Sequence, residues 1–123
     1  MGNQDKATSS VIFSHGLGDT AMGWVDGVAV LEEHLPNTRF VLPTAPTQPV
    51  SLNGGMAMPS WYDIEGLNDR ADETCTGIDV SRETIRALVR AEHESGIDRV
   101  VVAGFSQGGA LSLYTGLTTD VPL

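Results

Sequence analysis

The sequence predicts an α/β fold, a parallel sheet with helices on its faces, and three observations carry that prediction. Short apolar runs rich in β-branched residues stop at glycine or proline, as in "SSVIFSHG", "TRFVLPTAP" and "RVVVAGF", which is the pattern of buried strands. Longer segments between them repeat apolar residues at helical spacing. The order strand, helix, strand, long loop, helix, strand, helix joins strands through crossovers, and helical crossovers make the strands parallel.

In chain order, the polar lead "MGNQDKATSS" gives way to a first strand from about Ser10 to Ser14. In "DTAMGWVDGVAVLEEHLP" the residues Trp24, Val28, Leu31 and Leu35 share one helix face, and Pro36 stops the helix. "TRFVLPTAP" is a second short strand ending at Pro43. From Pro43 to Gly77 the chain is dense in Pro, Gly, Asn and Ser and is expected to be one long loop, functional or disordered. "GIDVSRETIRALVRAEHESGI" is an amphipathic helix with Ile78, Ile85, Leu88 and Val89 on one face and Gly96 at its exit. Arg82, Arg86 and Arg90 share another face, and the acidic residues between them favour a solvated face over a docking stripe. The last helix, "SQGGALSLYTGL", is apolar on most sides and is expected to be buried.

A length of 123 residues holds one small domain. The formal charge of -9, from 16 acidic and 7 basic residues, argues against nucleic acid or an anionic membrane as the main partner. The N-terminus lacks the apolar core of a signal peptide and no apolar run approaches membrane-spanning length, so a cytoplasmic protein is expected. Gly2 invites myristoylation, but Lys6 stands where that signal has Ser or Thr. Cys75 has no second cysteine to pair with, and the acidic "DRADETCTG" around it disfavours a thiolate, which makes it a bystander.

Chemistry concentrates in "VVVAGFSQGGALSLY". Gly104, Phe105, Ser106, Gln107 and Gly108 match G-x-S-x-G between a strand and a helix. A chain of this composition supplies about 0.1 such matches by chance, so the setting must carry the meaning. In a nucleophile elbow a sharp strand-to-helix turn strains the serine and lifts its hydroxyl above the sheet, and small residues must flank it because strand and helix nearly touch. A serine also needs a base to take its proton, and the oxyanion that forms needs two donors. The Gln107 backbone N–H, at a helix N-terminus, would be one donor. The turn "SHGLGD" would give the other, with Gly16 and Gly18 letting the Leu17 N–H face the serine. Gly16, Gly18 and Ala21 also fit the dinucleotide fingerprint G-x-G-x-x-A. That site wants an acidic residue ending the second strand, where Leu42, Pro43 and Thr44 stand instead. On the motif alone, a packing turn with an incidental serine stays open.

Four blocks, "VIFSHGLGDTAMGW", "LPTAPTQPVSLNGGMAMPSWYDI", "RETIRALV" and "GFSQGGALSLYTGLTT", resemble the acyl-protein thioesterases and the related lysophospholipases and carboxylesterases of the α/β-hydrolase fold. The resemblance implies a partial α/β-hydrolase fold of three layers, α/β/α, with residues 1–123 as the N-terminal half of one domain, breaking off after the elbow helix. It implies Ser106 as nucleophile, the Leu17 and Gln107 backbone N–H groups as oxyanion hole, and His15 as a structural residue of the first turn. The long loop of that family lines an acyl channel, which makes Trp61, Ile64 and Leu67, with Leu17, candidate substrate contacts; Trp61 and Ile64 would serve equally as loop anchors. The implied chemistry is hydrolysis of thioesters on S-acylated proteins and of oxygen esters of lysophospholipids through an acyl-serine, with no metal or other cofactor. Those substrates would be the partners, with no nucleic acid, no integral membrane segment and at most transient contact with a membrane surface.

The likeness has two departures. The family often carries a cysteine after the initiator Met for its own palmitoylation, and "MGNQ" has none. The triad Asp and His follow the nucleophile in the order Ser, Asp, His and would lie beyond Leu123. None of His15, in the first turn, His34, at a helix end, or His93, late in a helix, is placed to substitute. The outer edge of "VVVAGF" is expected to be unpaired and apolar, and the 123 residues alone inactive. The alternative is a non-catalytic acyl-binding or interaction module.

Overall fold

The computed structural model describes residues 7–66 and 74–123. Its elements are β1 (Ser9–Ser14), α1 (Val25–His34), β2 (Thr38–Val41), β3 (Thr47–Val50), β4 (Met56–Pro59), α2 (Ile78–Glu94), β5 (Arg99–Gly104) and α3 (Gln107–Thr118). Three strands form a parallel sheet in the order β2, β1, β5. Ser9 stands opposite both Thr38 and Arg99, and Ser14 opposite Gly104. The C-terminal ends of β1 and β5 therefore finish side by side, which brings the two glycine-rich turns together.

Alternation along β1 assigns the layers. Ser10, Ile12 and Ser14 are fully buried, and Ile12 packs in one cluster with Ile85, Val89 and Leu111 from α2 and α3. Val11 and Phe13 point the other way and line, with Val28, Leu31 and Phe40, an apolar groove of about 530 Å³ beneath α1. Helices on both faces of a parallel sheet are the expected three layers. Glu92 of α2 is buried and so needs partners. It accepts from Ser10 Oγ (2.5 Å), Arg39 Nε (2.9 Å) and Arg39 Nη2 (2.5 Å), tying β1, β2 and α2 at one point.

Three expectations need correction. The segment expected as one long loop contains an antiparallel hairpin, β3 with β4, pairing Thr47 with Pro59 and Val50 with Met56. Pro49 and Pro59 hide it from a sequence reading, because proline demotes a run as a strand unless the run is at an edge. The turn between the strands uses Gly54 and Gly55 at φ 67° and 84°, where a side chain would be strained. The last helix is not buried on most sides: Leu113 and Leu117 are 69% and 85% exposed. They flank a groove of about 500 Å³ shared with Val102 and Gly109, along the side of β5 that has no strand neighbour among the described residues. Finally, Arg82 and Arg86 are not merely solvated. Arg82 lies over the Tyr114 ring and donates to Thr118 Oγ1 (3.2 Å), while Arg86 bridges Glu83 (2.8 Å) and Asp120 (2.5 Å).

Candidate active site

Ser106 sits between β5 and α3 with φ 55° and ψ -117°, a conformation that costs a non-glycine residue about 1–3 kcal/mol. The surroundings enforce it. A Cβ added to Gly104 would run into the Gly108 carbonyl and stand 2.7 Å from the Gly109 nitrogen; one added to Gly108 would strike the carbonyl oxygens of Ser14 and His15. The strand, the helix and the end of β1 thus meet backbone to backbone, and only glycine fits at those contacts. Phe105 N–H donates to Ser14 C=O (3.0 Å), locking the elbow to β1.

The first turn is held as tightly. His15 Nε2 accepts from the Ala45 N–H (3.0 Å), which places the ring proton on Nδ1 to donate to Gly16 C=O at 2.7 Å. The same carbonyl accepts from Asp19 N–H (3.2 Å). Carbonyl and N–H of one trans peptide point in opposite directions, so fixing the Gly16 carbonyl aims the Leu17 N–H the other way. Among the described residues neither the Leu17 nor the Gln107 backbone N–H is used in a hydrogen bond. The two turns abut: a Cβ on Gly16 would lie 3.6 Å from Ser106 Cβ.

A pocket of about 300 Å³ opens at the serine, lined by Leu17, Leu52, Tyr62, Ile64, Ser106, Gln107 and Ala110. Of the residues singled out in the sequence, Ile64, Leu17 and Gln107 line this pocket together with Ser106. Trp61 is not in the lining. It is 1% exposed, packs in the core cluster and donates its indole N–H to His15 C=O (2.9 Å), which is the anchoring alternative. Leu67 lies outside the described residues. Tyr62 and Leu52 were not anticipated, because the segment that carries Tyr62 has no regular period from which its facing could be read. Leu52 is held in place by its N–H to Ile64 C=O (2.8 Å) and by its neighbour Ser51, whose N–H and hydroxyl bind the Asp63 carboxylate at 2.8 and 2.6 Å. Those bonds, the hydroxyl first, hold the Asp63 carboxyl below its ordinary range.

No histidine approaches Ser106 as a base. His15 has both ring nitrogens engaged, His34 bonds Val30 C=O on the surface, and His93 faces the carbonyls of Pro122 and Ile97, which raise its pKa above 6.5 in that order of importance. No group of metal-ligating side chains occurs among the described residues, and no described helix is long and apolar enough to cross a membrane.

A family model described as phospholipase/carboxylesterase matches residues 1–123. The chain belongs to that family. Its relatives include acyl-protein thioesterase 1 of Mycosarcoma maydis, 46% identical over 96% of this chain and 55% of that protein, and acyl-protein thioesterase 1 homolog 1 of Dictyostelium discoideum, 45% identical over 88% and 50%. Among solved structures, acyl-protein thioesterase 2 of Zea mays superposes with a TM-score of 0.80 at 31% identity, covering 96% of this chain and 53% of that one. Esterase PE8 superposes at 0.78 with 26% identity, over 99% and 57%. These family members confirm the α/β-hydrolase architecture, and the chain spans about half the length of the curated relatives it matches.

Proposed function

We propose that the protein carrying this chain is a serine hydrolase of acyl thioesters and esters, with acyl groups on protein cysteines as the first substrate class and lysophospholipids as the second. The observation that carries the proposal is a strained serine beside two backbone N–H groups that bond to no described residue, at a pocket walled by Leu17, Leu52, Tyr62 and Ile64. Ser106 Oγ attacks the acyl carbonyl carbon and gives up its proton to a base. The C=O electron pair moves onto oxygen, where the Leu17 and Gln107 N–H groups stabilise the charge together with the α3 N-terminus. Collapse of the tetrahedral species expels the thiol or alcohol, which takes the proton, and water then hydrolyses acyl-Ser106 by the same steps. Leu17, Leu52, Tyr62 and Ile64 hold the acyl tail, each buried methylene contributing about 0.8 kcal/mol. We assign the base, a His oriented by an Asp, to the part of the relatives' length that these residues do not span. A fluorophosphonate probe on the full-length protein should label Ser106; labelling that survives Ser106→Ala would sink the assignment.

The engaged state of His15, His34 and His93 favours a second reading for the 123 residues alone, an acyl-binding module without turnover. Loss of a triad base costs on the order of 10⁶ in kcat, so thioester turnover by the purified 123-residue chain would refute it.

A further inference from the structure

The segment that forms the pocket wall has no regular secondary structure, yet it is buried, and side-chain and backbone groups from other parts of the chain hold its backbone. Ser60 C=O accepts from Gln48 Nε2 (2.6 Å), Ser60 N–H donates to Pro46 C=O (3.0 Å), and Trp61 C=O accepts from Ser81 Oγ (2.5 Å). The largest share falls to one side chain. The Gln107 amide accepts from Trp61 N–H through Oε1 (2.9 Å) and donates through Nε2 to Tyr62 C=O (2.7 Å) and Ser60 Oγ (3.0 Å). That amide is buried. Its single acceptor and both of its donors are committed to three successive residues, and Tyr62 is itself part of the wall.

Gln107 therefore joins two parts of the site. Its backbone occupies the first position of α3 next to Ser106, and its side chain grips the strip that carries Tyr62 and Ile64. Any residue except proline would supply the same backbone N–H. Only a side chain of this length with an amide's donors and acceptor can close all three bonds. We infer that the Gln107 side chain is a positioning residue that fixes the Tyr62 and Ile64 wall relative to Ser106, and thereby sets how strongly the pocket discriminates acyl-chain length. This rests on the hydrolase reading above. A glutamine that only satisfied buried backbone would affect long and short acyl groups alike. A glutamine that places the wall affects the long ones, because only they reach past the reacting carbonyl to touch it.

The test uses the full-length protein in three forms: wild type, Gln107→Met, which keeps the volume and loses the bonds, and Gln107→Glu, which is isosteric and loses both donors. Rates with p-nitrophenyl acetate and p-nitrophenyl octanoate give the selectivity, and hydrogen exchange at the Trp61 amide reports the clamp without reference to catalysis. In both variants the octanoate-to-acetate ratio of kcat/KM should fall by about tenfold, the change expected for losing roughly one net hydrogen bond, and the loss should sit in the KM for octanoate. Trp61 amide exchange should accelerate by about tenfold or more in Gln107→Met. A ratio unchanged in both variants, or equal losses for both esters, would overturn the specificity role. Wild-type protein that neither turns over ester nor takes a fluorophosphonate on Ser106 would overturn the hydrolase reading instead; the clamp would then stand or fall on Trp61 exchange, with unaltered exchange in Gln107→Met refuting it.

Discussion

The two faces of the sheet are packed to different standards. On the side of α2 and α3, Ser10, Ile12 and Ser14 are sealed, the elbow meets β1 backbone to backbone, and a partly buried ion pair ties β1 and β2 to α2. On the side of α1, Val11 and Phe13 are half-buried, Val101 is 52% exposed, and a groove of about 530 Å³ remains. The candidate site belongs to the tight side: Trp61, Tyr62, Ile64 and Leu111 share one buried cluster, and Tyr62 and Ile64 also line the pocket at Ser106. A reacting group must be held to within a fraction of an ångström of its geometry, and close packing supplies that rigidity. The looser face is free of the demand.

Substitutions matched across this divide should separate the faces. The largest effect is expected for Gly108→Ala, whose Cβ would meet the Ser14 and His15 carbonyl oxygens; rigid backbone cannot yield, so urea unfolding should show a loss of about 3 kcal/mol or more. Trp61→Phe keeps most of the ring but leaves the buried His15 carbonyl without its donor, and the same measurement should show about 1–3 kcal/mol lost. A loss below a few tenths would mean that the wall and the first turn are not coupled through this bond.

Glu92→Gln tests the ion pair and its pH dependence. Burial pushes the Glu92 carboxyl up, but hydrogen bonds from Arg39 and then Ser10 outweigh it and leave the group below 4.5. A lowered folded-state pKa contributes stability that is present above the unfolded value and is lost as pH falls through the folded one. Discounting for the partly exposed Arg39 guanidinium, the variant should lose about 1–2 kcal/mol at neutral pH. Its stability should also fall less steeply than wild type below about pH 4.5, as followed by acid titration of circular dichroism. Equal acid slopes in the two proteins would remove Glu92 from the account. The smallest effect, of opposite sign, belongs to the α1 face. Gly27 lies within α1 with nothing within 4 Å of an added Cβ, so Gly27→Ala should stabilise the protein by about 0.5–1 kcal/mol. Destabilisation there would mean that the α1 face is packed as closely as the other.

The site was legible wherever its chemistry is local. A serine between glycines at a strand-to-helix turn, and a second glycine-rich turn after an earlier strand, each reflect short-range steric demands that only a few residue types meet. The hairpin was not legible, because prolines at 49 and 59 disguise strands that lie at an edge. Trp61 was undecidable by type, since an indole suits a lipid wall and a core equally, and only burial and its bond to His15 C=O separate the two. The exposed flank of α3 was misjudged because composition says that a face is apolar without saying what covers it.

By itself, then, the sequence determined the α/β layering and the two glycine-rich turns, because turn sterics and hydrophobic period act over a few positions along the chain. Only the tertiary structure decided which side of "WYDI" faces the serine, and that the Gln107 side chain grips the wall. Those facts depend on contacts across about 45 positions of chain, for which no local pattern in a single sequence carries a signal.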